Sequence, residues 1–217
     1  LLTTGKVDER IFKAYHHVKL FKSDLQAKCD SLVSFENIGL TKMFVNPVLW
    51  AEENQITGDI IHLLSKVASE ELDSIKILEN AFMAQKDSAG FSQLKGKNMY
   101  GKFKNNELAT LDVVSNSEVM FFIRDENDVL VGINKMQTSK NIFITLINND
   151  ISSIDYNDKP DGRTYPPSDF EELSENEKLF NGFIWREEER PLSKDDIFKR
   201  DDLTPKEKPK RKRRKKE

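Results

Sequence analysis

The stretch NPVLWAEENQITGD, residues 46–59, decides the fold class because it contains two strand patterns separated by a sharp polar turn. Residues 48–50 are Val, Leu and Trp, which are enriched in strands. Residues 51–54 interrupt the apolar run, and residues 55–59 begin a second strand with a glycine followed by a polar residue. The same order recurs along the chain and predicts an all-β fold.

The recurring unit begins with a glutamine and has a small residue shortly after it. Strands with this start return about every 40 residues and are followed by a second strand, which indicates repeated β-hairpins. A small residue at a fixed place in a strand indicates a bend or a close approach of two backbones. The repeated positions are Gln26 with Cys29, Gln55 with Gly58, Gln93 with Gly96, and the later Ser139.

Short apolar or alternating runs, separated by turns rich in Asn and Asp, dominate the first 156 residues. Their spacing is typical of a β-sandwich, barrel or solenoid. After Tyr156 the chain becomes rich in proline and charge, with one helix predicted over residues 168–179. The predicted strands are residues 18–21, 31–35, 43–50, 59–64, 74–78, 81–85, 98–103, 110–114, 119–124, 142–147 and 153–156.

Charge is distributed unevenly along the 217 residues. Residues 204–217 hold nine Lys or Arg against two Glu, whereas the whole chain has a net charge of −3. The chain is therefore an acidic body with a basic tail. Because it begins at Leu1 rather than Met, we interpret it as the C-terminal part of a longer protein, with any export signal upstream.

Five segments together resemble the OstA-like proteins of the Bacteroidetes, which are related to the periplasmic bridge protein of lipopolysaccharide transport. They are DSLVSF, NPVLWAEENQITGDII, LKGKNMYGKFKNNEL, KPDGRTYPPSDF and GFIWREEERPLSKDDIF, and the resemblance covers most of residues 23–198. The resemblance implies an open β-jellyroll, two antiparallel sheets folded along one apolar groove. It also implies a periplasmic, noncatalytic protein whose groove shields the acyl chains of lipopolysaccharide.

The resemblance further implies that jellyroll domains join through their edge strands, as a homo-oligomer or an end-to-end stack. Trp50 and the strand around Pro47 are candidate edge positions. The usual small bridge protein lacks both the proline-rich segment and the basic tail, so the role of residues beyond about 157 stays open. We predict jellyroll repeats in residues 1–157, an irregular or helical segment packed on them in residues 158–200, and a disordered tail in residues 201–217.

An apolar groove is also consistent with the residues themselves. The run NIFITLI, residues 141–147, carries apolar side chains on both faces, so each face needs a cover: a sheet, another segment or a lipid tail. Ordinary core packing is the alternative for such a run. The predicted groove-lining residues are Leu63, Ile77, Phe82, Phe103, Val113, Phe121, Ile144 and Leu146.

Enzyme chemistry is not predicted. His16 and His17 are adjacent in a strand pattern, so their side chains are expected on opposite faces. The only other nitrogen or sulfur ligands of this kind in the sequence are His62 and Cys29. The paired carboxylates lie in turns and charge runs, where solvated surface is the usual outcome. We therefore predict no catalytic residues, no metal and no cofactor.

The tail supports an alternative function in binding a polyanion such as nucleic acid. No aromatic residue is interleaved with its cations, so base stacking is not supported, and the leading interpretation involves no nucleic acid. A sugar-binding sandwich is less well supported, because Trp50, Tyr165 and Trp185 are scattered. The candidate polyanion-binding residues are Lys210, Arg211, Lys212, Arg213, Arg214, Lys215 and Lys216.

Overall fold

The computed structural model describes residues 10–69, 71–147 and 150–199, and in these residues fourteen strands form one antiparallel sheet. The predicted all-β jellyroll of antiparallel hairpins is therefore confirmed. The strands are β1 (Ile11–Lys22), β2 (Leu25–Phe35), β3 (Leu40–Phe44), β4 (Val48–Ala51), β5 (Asn54–Thr57), β6 (Ile60–Ser65), β7 (Leu72–Asp87), β8 (Gly90–Lys104), β9 (Glu107–Val114), β10 (Ser117–Arg124), β11 (Leu130–Thr138), β12 (Ile142–Ile147), β13 (Asp150–Tyr156) and β14 (Asp161–Tyr165).

The sheet folds along one line into two walls, because its longest strands pair with different neighbours on each side of that line. The first half of β7 pairs with β6, and its second half pairs with β5. β2 divides in the same way between β3 and β4. The first wall, in spatial order, is β1 (residues 11–15), β2 (31–35), β3, β6, β7 (72–78), β8 (98–104), β9, β12 and β13. The second wall is β1 (18–22), β2 (25–29), β4, β5, β7 (81–87), β8 (90–96), β10, β11 and β14.

Pairs of residues with positive φ mark the corner line between the walls. Glu79 and Asn80, at φ 55° and 51°, interrupt the pairing of β7 with β8. Asparagine tolerates this left-handed region better than most residues, and a bulge of this kind bends a strand. The corner pairs are His16 with His17, Val45 with Asn46, Glu79 with Asn80, and Ser115 with Asn116.

Small residues face these corners, and they are the ones that the sequence repeat contains. A Cβ at Gly58 would lie 2.5 Å from Ile77 Cγ2, and one at Gly96 would lie 2.7 Å from Val113 Cγ1. The next residue in each unit donates its backbone N–H to the first corner residue: Asp30 to Val45, Asp59 to Glu79 and Lys97 to Ser115, at 3.0–3.1 Å. The predicted close approach of backbones at the small residue is therefore confirmed.

Strand boundaries differ from the prediction at the corners. Residues 43–50 were predicted as one strand but belong to β3 and β4, because Val45 and Asn46 take positive φ between them. Conversely, residues 74–78 and 81–85 are the two halves of β7. The proline-rich region begins with β14, which pairs with β11 and extends the second wall.

The C-terminal segment, residues 166–199, lies on the outer face of the second wall. It contains two short α-helices, α1 (Pro167–Glu171) and α2 (Glu175–Lys178), where one helix was predicted, and two 3-10 helices, Glu187–Glu189 and Lys194–Phe198. Ser174 and Glu177 form a capping box that starts α2 anew. Phe170 and Phe180 of this segment pack with Phe82 in a second hydrophobic core, separate from the core between the walls.

Candidate functional site: an apolar interior with a polar mouth

The interior between the walls holds seven of the eight predicted lining residues, at two depths. Leu63, Ile77, Val113 and Ile144 are at most 6% exposed and belong to the core between the walls. Three others are only partly buried and pack at its edge. These three side chains are Phe103, Phe121 and Leu146.

Phe82 does not line the interior, so its assignment to the groove was wrong. Side chains alternate between the two faces of a strand. In the second half of β7, Met83 belongs to the core between the walls, and Phe82 to the core under the C-terminal segment. The Phe82 ring lies 6.1 Å from that of Phe183, in an edge-to-face arrangement.

The interior is not an open trough along its whole depth. The cavity between the walls has a volume of about 40 Å³, which is room for only a few water molecules at roughly 10–15 Å³ each. A pocket for a small organic ligand is usually about 300–1,000 Å³. The buried side chains therefore close the deep part of the groove between the described strands, and its partly buried lining lies on the open side opposite the corner line.

We call this open side the mouth, and its lining is apolar on one side and polar on the other. The first wall contributes the partly buried Leu108 and Leu146 and the exposed Ile151. The second wall contributes the half-buried polar side chains Asn54, Gln85 and Ser92, with Phe121 nearby.

A wider polar depression of about 680 Å³ adjoins the cavity and shares Gln85, Ser92 and Ile151 with it. The ion pair of Arg124 with Asp87, at 2.7 Å, forms part of its wall. The mouth therefore leads from an apolar interior to polar, charged surface.

The structure places the buried Cys29 and the exposed His16 and His17 in different surroundings. Burial raises the pKa of the Cys29 thiol to about 11, so the thiolate is suppressed at neutral pH. His16 and His17 are exposed and occupy a corner rather than a regular strand. Across the described ranges 10–69, 71–147 and 150–199, no group of three or more His, Cys, Asp or Glu is placed to hold a metal ion.

Two carboxylates from the turns and charge runs, Asp125 and Glu189, stabilise local structure. Asp125 accepts the backbone N–H groups of Asn127 and Val129, which lowers its pKa. Glu189 is paired with Arg186 and Lys28, and these partners lower its pKa to about 2.

Three glutamines of the repeat attach the C-terminal segment to the second wall. The sequence repeat contains them, but it did not indicate this role. Gln26, Gln55 and Gln93 are at most 4% exposed on the outer face of the second wall. Each side-chain amide hydrogen-bonds the C-terminal segment. The recurrence of glutamine at the same place in the repeat is the sequence feature from which a shared structural role could have been predicted.

The edges of the walls are not where Pro47 and Trp50 lie. Trp50 is fully buried, and β4 is paired on both sides, with β2 and β5. Within the described residues, β1 pairs only with β2, β13 only with β12, and β14 only with β11. The edge strands of the described sheet are therefore β1 at one end, and β13 and β14 at the other.

The predicted tail residues 210–216 lie outside the described residues. In the part of the chain that is described, no helix has the length and apolar character needed to cross a bilayer.

Comparisons with known proteins gave matches among solved structures. No protein-family model matches the sequence, and no curated protein matches it. One of the solved structures is LptH of Pseudomonas aeruginosa, described as the LptA-homologous periplasmic component of the conserved lipopolysaccharide transport device. It is 13% identical, the match covers 61% of this chain and 85% of that chain, and the TM-score is 0.45.

Proposed function

We propose that this chain is an OstA-like, noncatalytic periplasmic component of lipopolysaccharide transport, which shields acyl chains at the mouth between its two walls. The observation that carries the proposal is the composition of the mouth. Leu108, Phe121 and Leu146 leave apolar surface there, next to the polar side chains of Gln85 and Ser92. An amphiphile would fit this arrangement, with its hydrocarbon chains on the apolar surface and its polar head group beside the polar side chains.

Burial of hydrocarbon supplies the affinity without any covalent chemistry. Apolar surface gains about 25 cal/mol per Å² when it leaves water. Because the existing cavity is only about 40 Å³, an acyl chain enters by displacing the partly buried side chains of the mouth. The fully buried core beneath them stays packed, so the site binds a chain weakly enough to release it.

Transfer along a series of such mouths requires neighbouring domains. The edge strands β1, β13 and β14 carry backbone groups that an added strand of another jellyroll domain can pair with. Pairing of this kind would align one mouth with the next.

A photocrosslinking experiment on β12 tests the proposal, because adjacent residues there face opposite ways. Leu146 packs at the interior, and Ile147 is 60% exposed. A photoreactive amino acid at position 146 should crosslink to lipopolysaccharide acyl chains, whereas the same group at position 147 should give only background. Phe121 and Phe143, which is 39% exposed, form a second matched pair on opposite surfaces.

Equal yields at the inward and outward positions, with a β circular-dichroism spectrum in both variants, would overturn the assignment. Competition by unlabelled lipopolysaccharide should reduce the yield at positions 146 and 121.

The alternative, polyanion binding, is favoured by the nine Lys or Arg in residues 204–217. In that case deletion of residues 206–217 removes most of the affinity for DNA, with a steep dependence on salt. The same deletion would leave crosslinking at position 146 unchanged if the mouth binds acyl chains by itself.

A further inference from the structure

The outer face of the first wall carries one row of residues in which positive and negative charges are separated. Successive strand pairings place Lys42 opposite His62, His62 opposite Lys76, and Lys76 opposite Tyr100. The row continues with Asp112, Phe143 and Asp155. From β1 to β13 it is Lys13, Val33, Lys42, His62, Lys76, Tyr100, Asp112, Phe143 and Asp155.

The charges in this row are not balanced by partners among the residues that the structure describes. Among the described residues, Lys13, Lys76, Asp112 and Asp155 take part in no ion pair. Lys76 and Asp112 lie on strands two apart, about 10 Å from each other at the usual strand spacing, too far for direct contact. Asp112 is partly buried without a partner, and burial raises its pKa.

Tyr100 on β8 is the centre of a self-complementary pattern. One strand away from it lie Lys76 on one side and Asp112 on the other. Three strands away lie Lys42 and Asp155, again of opposite charge. A two-fold axis running along β8 between two facing walls therefore brings each lysine against an aspartate of the other copy.

We infer that the outer face of the first wall is a two-fold interface between two copies of this chain, in which Lys76 of each copy meets Asp112 of the other. Tyr100, 38% exposed, meets its own counterpart at the axis. Phe143, 39% exposed, covers His62 of the other copy.

The size of the face is adequate for such an interface. The wall measures about 40 Å across its strands and about 17 Å along them, from the usual spacing and rise of β-strands. With the axis on β8, only the seven strands from β3 to β13 overlap, about 30 Å by 17 Å, which gives about 500 Å² per copy and about 1,000 Å² in total, the lower end for a specific interface. Two sheets pack face to face about 10 Å apart, which lysine side chains can bridge.

A charge-swap experiment on the full chain tests this interface. Wild-type protein should sediment as a dimer. Lys76→Glu places two pairs of acids in contact, and Asp112→Lys two pairs of cations, so each variant alone should dimerise at least about tenfold more weakly. An equimolar mixture of the two variants should recover a dimer. In that heterodimer the two substituted side chains form one contact of opposite charges, and the native Lys76 and Asp112 form the other.

Lys86→Glu is the control, since Lys86 is an exposed lysine on the second wall; it should change the net charge equally and leave the dimer intact. The inference is overturned if the wild-type chain stays monomeric at its highest soluble concentration. It is equally overturned if a dimer survives both reversals, which would indicate pairing of edge strands. Monomers that bind vesicles containing phosphatidylglycerol, and lose that binding in Lys76→Glu, would assign the lysine row to a membrane surface instead.

Discussion

Gln55 holds Arg186, 131 positions further along the chain, through a hydrogen bond between its side chain and the arginine backbone. Gln55 Oε1 accepts the Arg186 N–H at 2.6 Å, and Gln55 Nε2 donates to the Ile184 carbonyl at 2.6 Å. Gln93 makes the same two kinds of hydrogen bond. Its Oε1 accepts the Phe180 N–H at 2.8 Å, and its Nε2 donates to the Lys178 carbonyl at 2.9 Å. Buried amides of the second wall thus replace water for the backbone of the C-terminal segment.

The first prediction concerns this attachment. Gln55→Ala removes both hydrogen bonds and leaves buried backbone groups of the segment without partners, which costs about 1–3 kcal/mol. We expect a loss of that size in the free energy of unfolding by urea, and faster proteolytic cleavage within residues 180–190. Gln85→Ala is the matched control, because Gln85 lies half-buried at the mouth. Equal behaviour of the two variants would show that the amide does not hold the segment.

The second prediction concerns the corner line. Gly96→Ala places a methyl group 2.7 Å from Val113 Cγ1, and overpacking of this kind costs about 1–3 kcal/mol. Val113→Ala removes the obstructing methyl groups but leaves a cavity. The double variant should therefore be more stable than the sum of the two single effects predicts, which a double-mutant cycle in urea measures. Strict additivity would mean that the close contact does not determine the need for glycine.

The third prediction separates the deep core from the mouth. Ile144 is fully buried, and Leu146, two residues along the same strand, is only partly buried. Ile144→Ala should lower the free energy of unfolding by about 2–5 kcal/mol, because truncation in a packed core leaves a cavity. Leu146→Ala should cost less than half of that and should reduce acyl-chain capture instead. If both substitutions destabilise the protein equally, the mouth is part of the closed core.

The periodicity of the sequence predicts several strands that stay in one wall, but it missed β11 (Leu130–Thr138) and β14 (Asp161–Tyr165), which also stay in one wall. Residues 142–147 were predicted with the bounds that β12 has. Periodicity fails at the corners, because alternation reports which face a side chain takes and not whether the strand turns from one wall to the other. Residues 74–78 and 81–85 thus looked like two strands, and the positive φ of Glu79 and Asn80 explains the interruption.

Side-chain alternation also predicted part of the interior lining. Alternation on β12 places Ile144 and Leu146 together on the inner face, and the structure agrees. The second half of β7 is apolar on both faces, so nothing local distinguishes Phe82 from Met83. Only the position of the C-terminal segment, about a hundred residues later, decides that Phe82 faces it. The purpose of Gln26, Gln55 and Gln93 depends on the same distant contact.

The last prediction uses the ion pairs of Glu189 in the C-terminal segment. Glu189 Oε1 and Oε2 accept from Arg186 at 2.6 and 2.9 Å, and Lys28 donates to Oε2 at 2.7 Å. These partners lower its pKa from 4.5 to about 2. The unfolded chain therefore binds this proton more readily than the folded one. The stabilisation by Glu189 is fully present above the ordinary pKa, and it is lost as the pH falls from about 4.5 towards about 2.

Comparison with Glu189→Gln isolates this effect, because the other carboxylates titrate in both proteins and cancel in the difference. Wild type should exceed the variant in the free energy of unfolding at neutral pH, and the difference should shrink as the pH falls through that window. Urea titrations on either side of the window measure it. A difference that is independent of pH would mean that the carboxylate charge does not hold the segment, and that Arg186 is positioned by Gln55 and Asn46 alone.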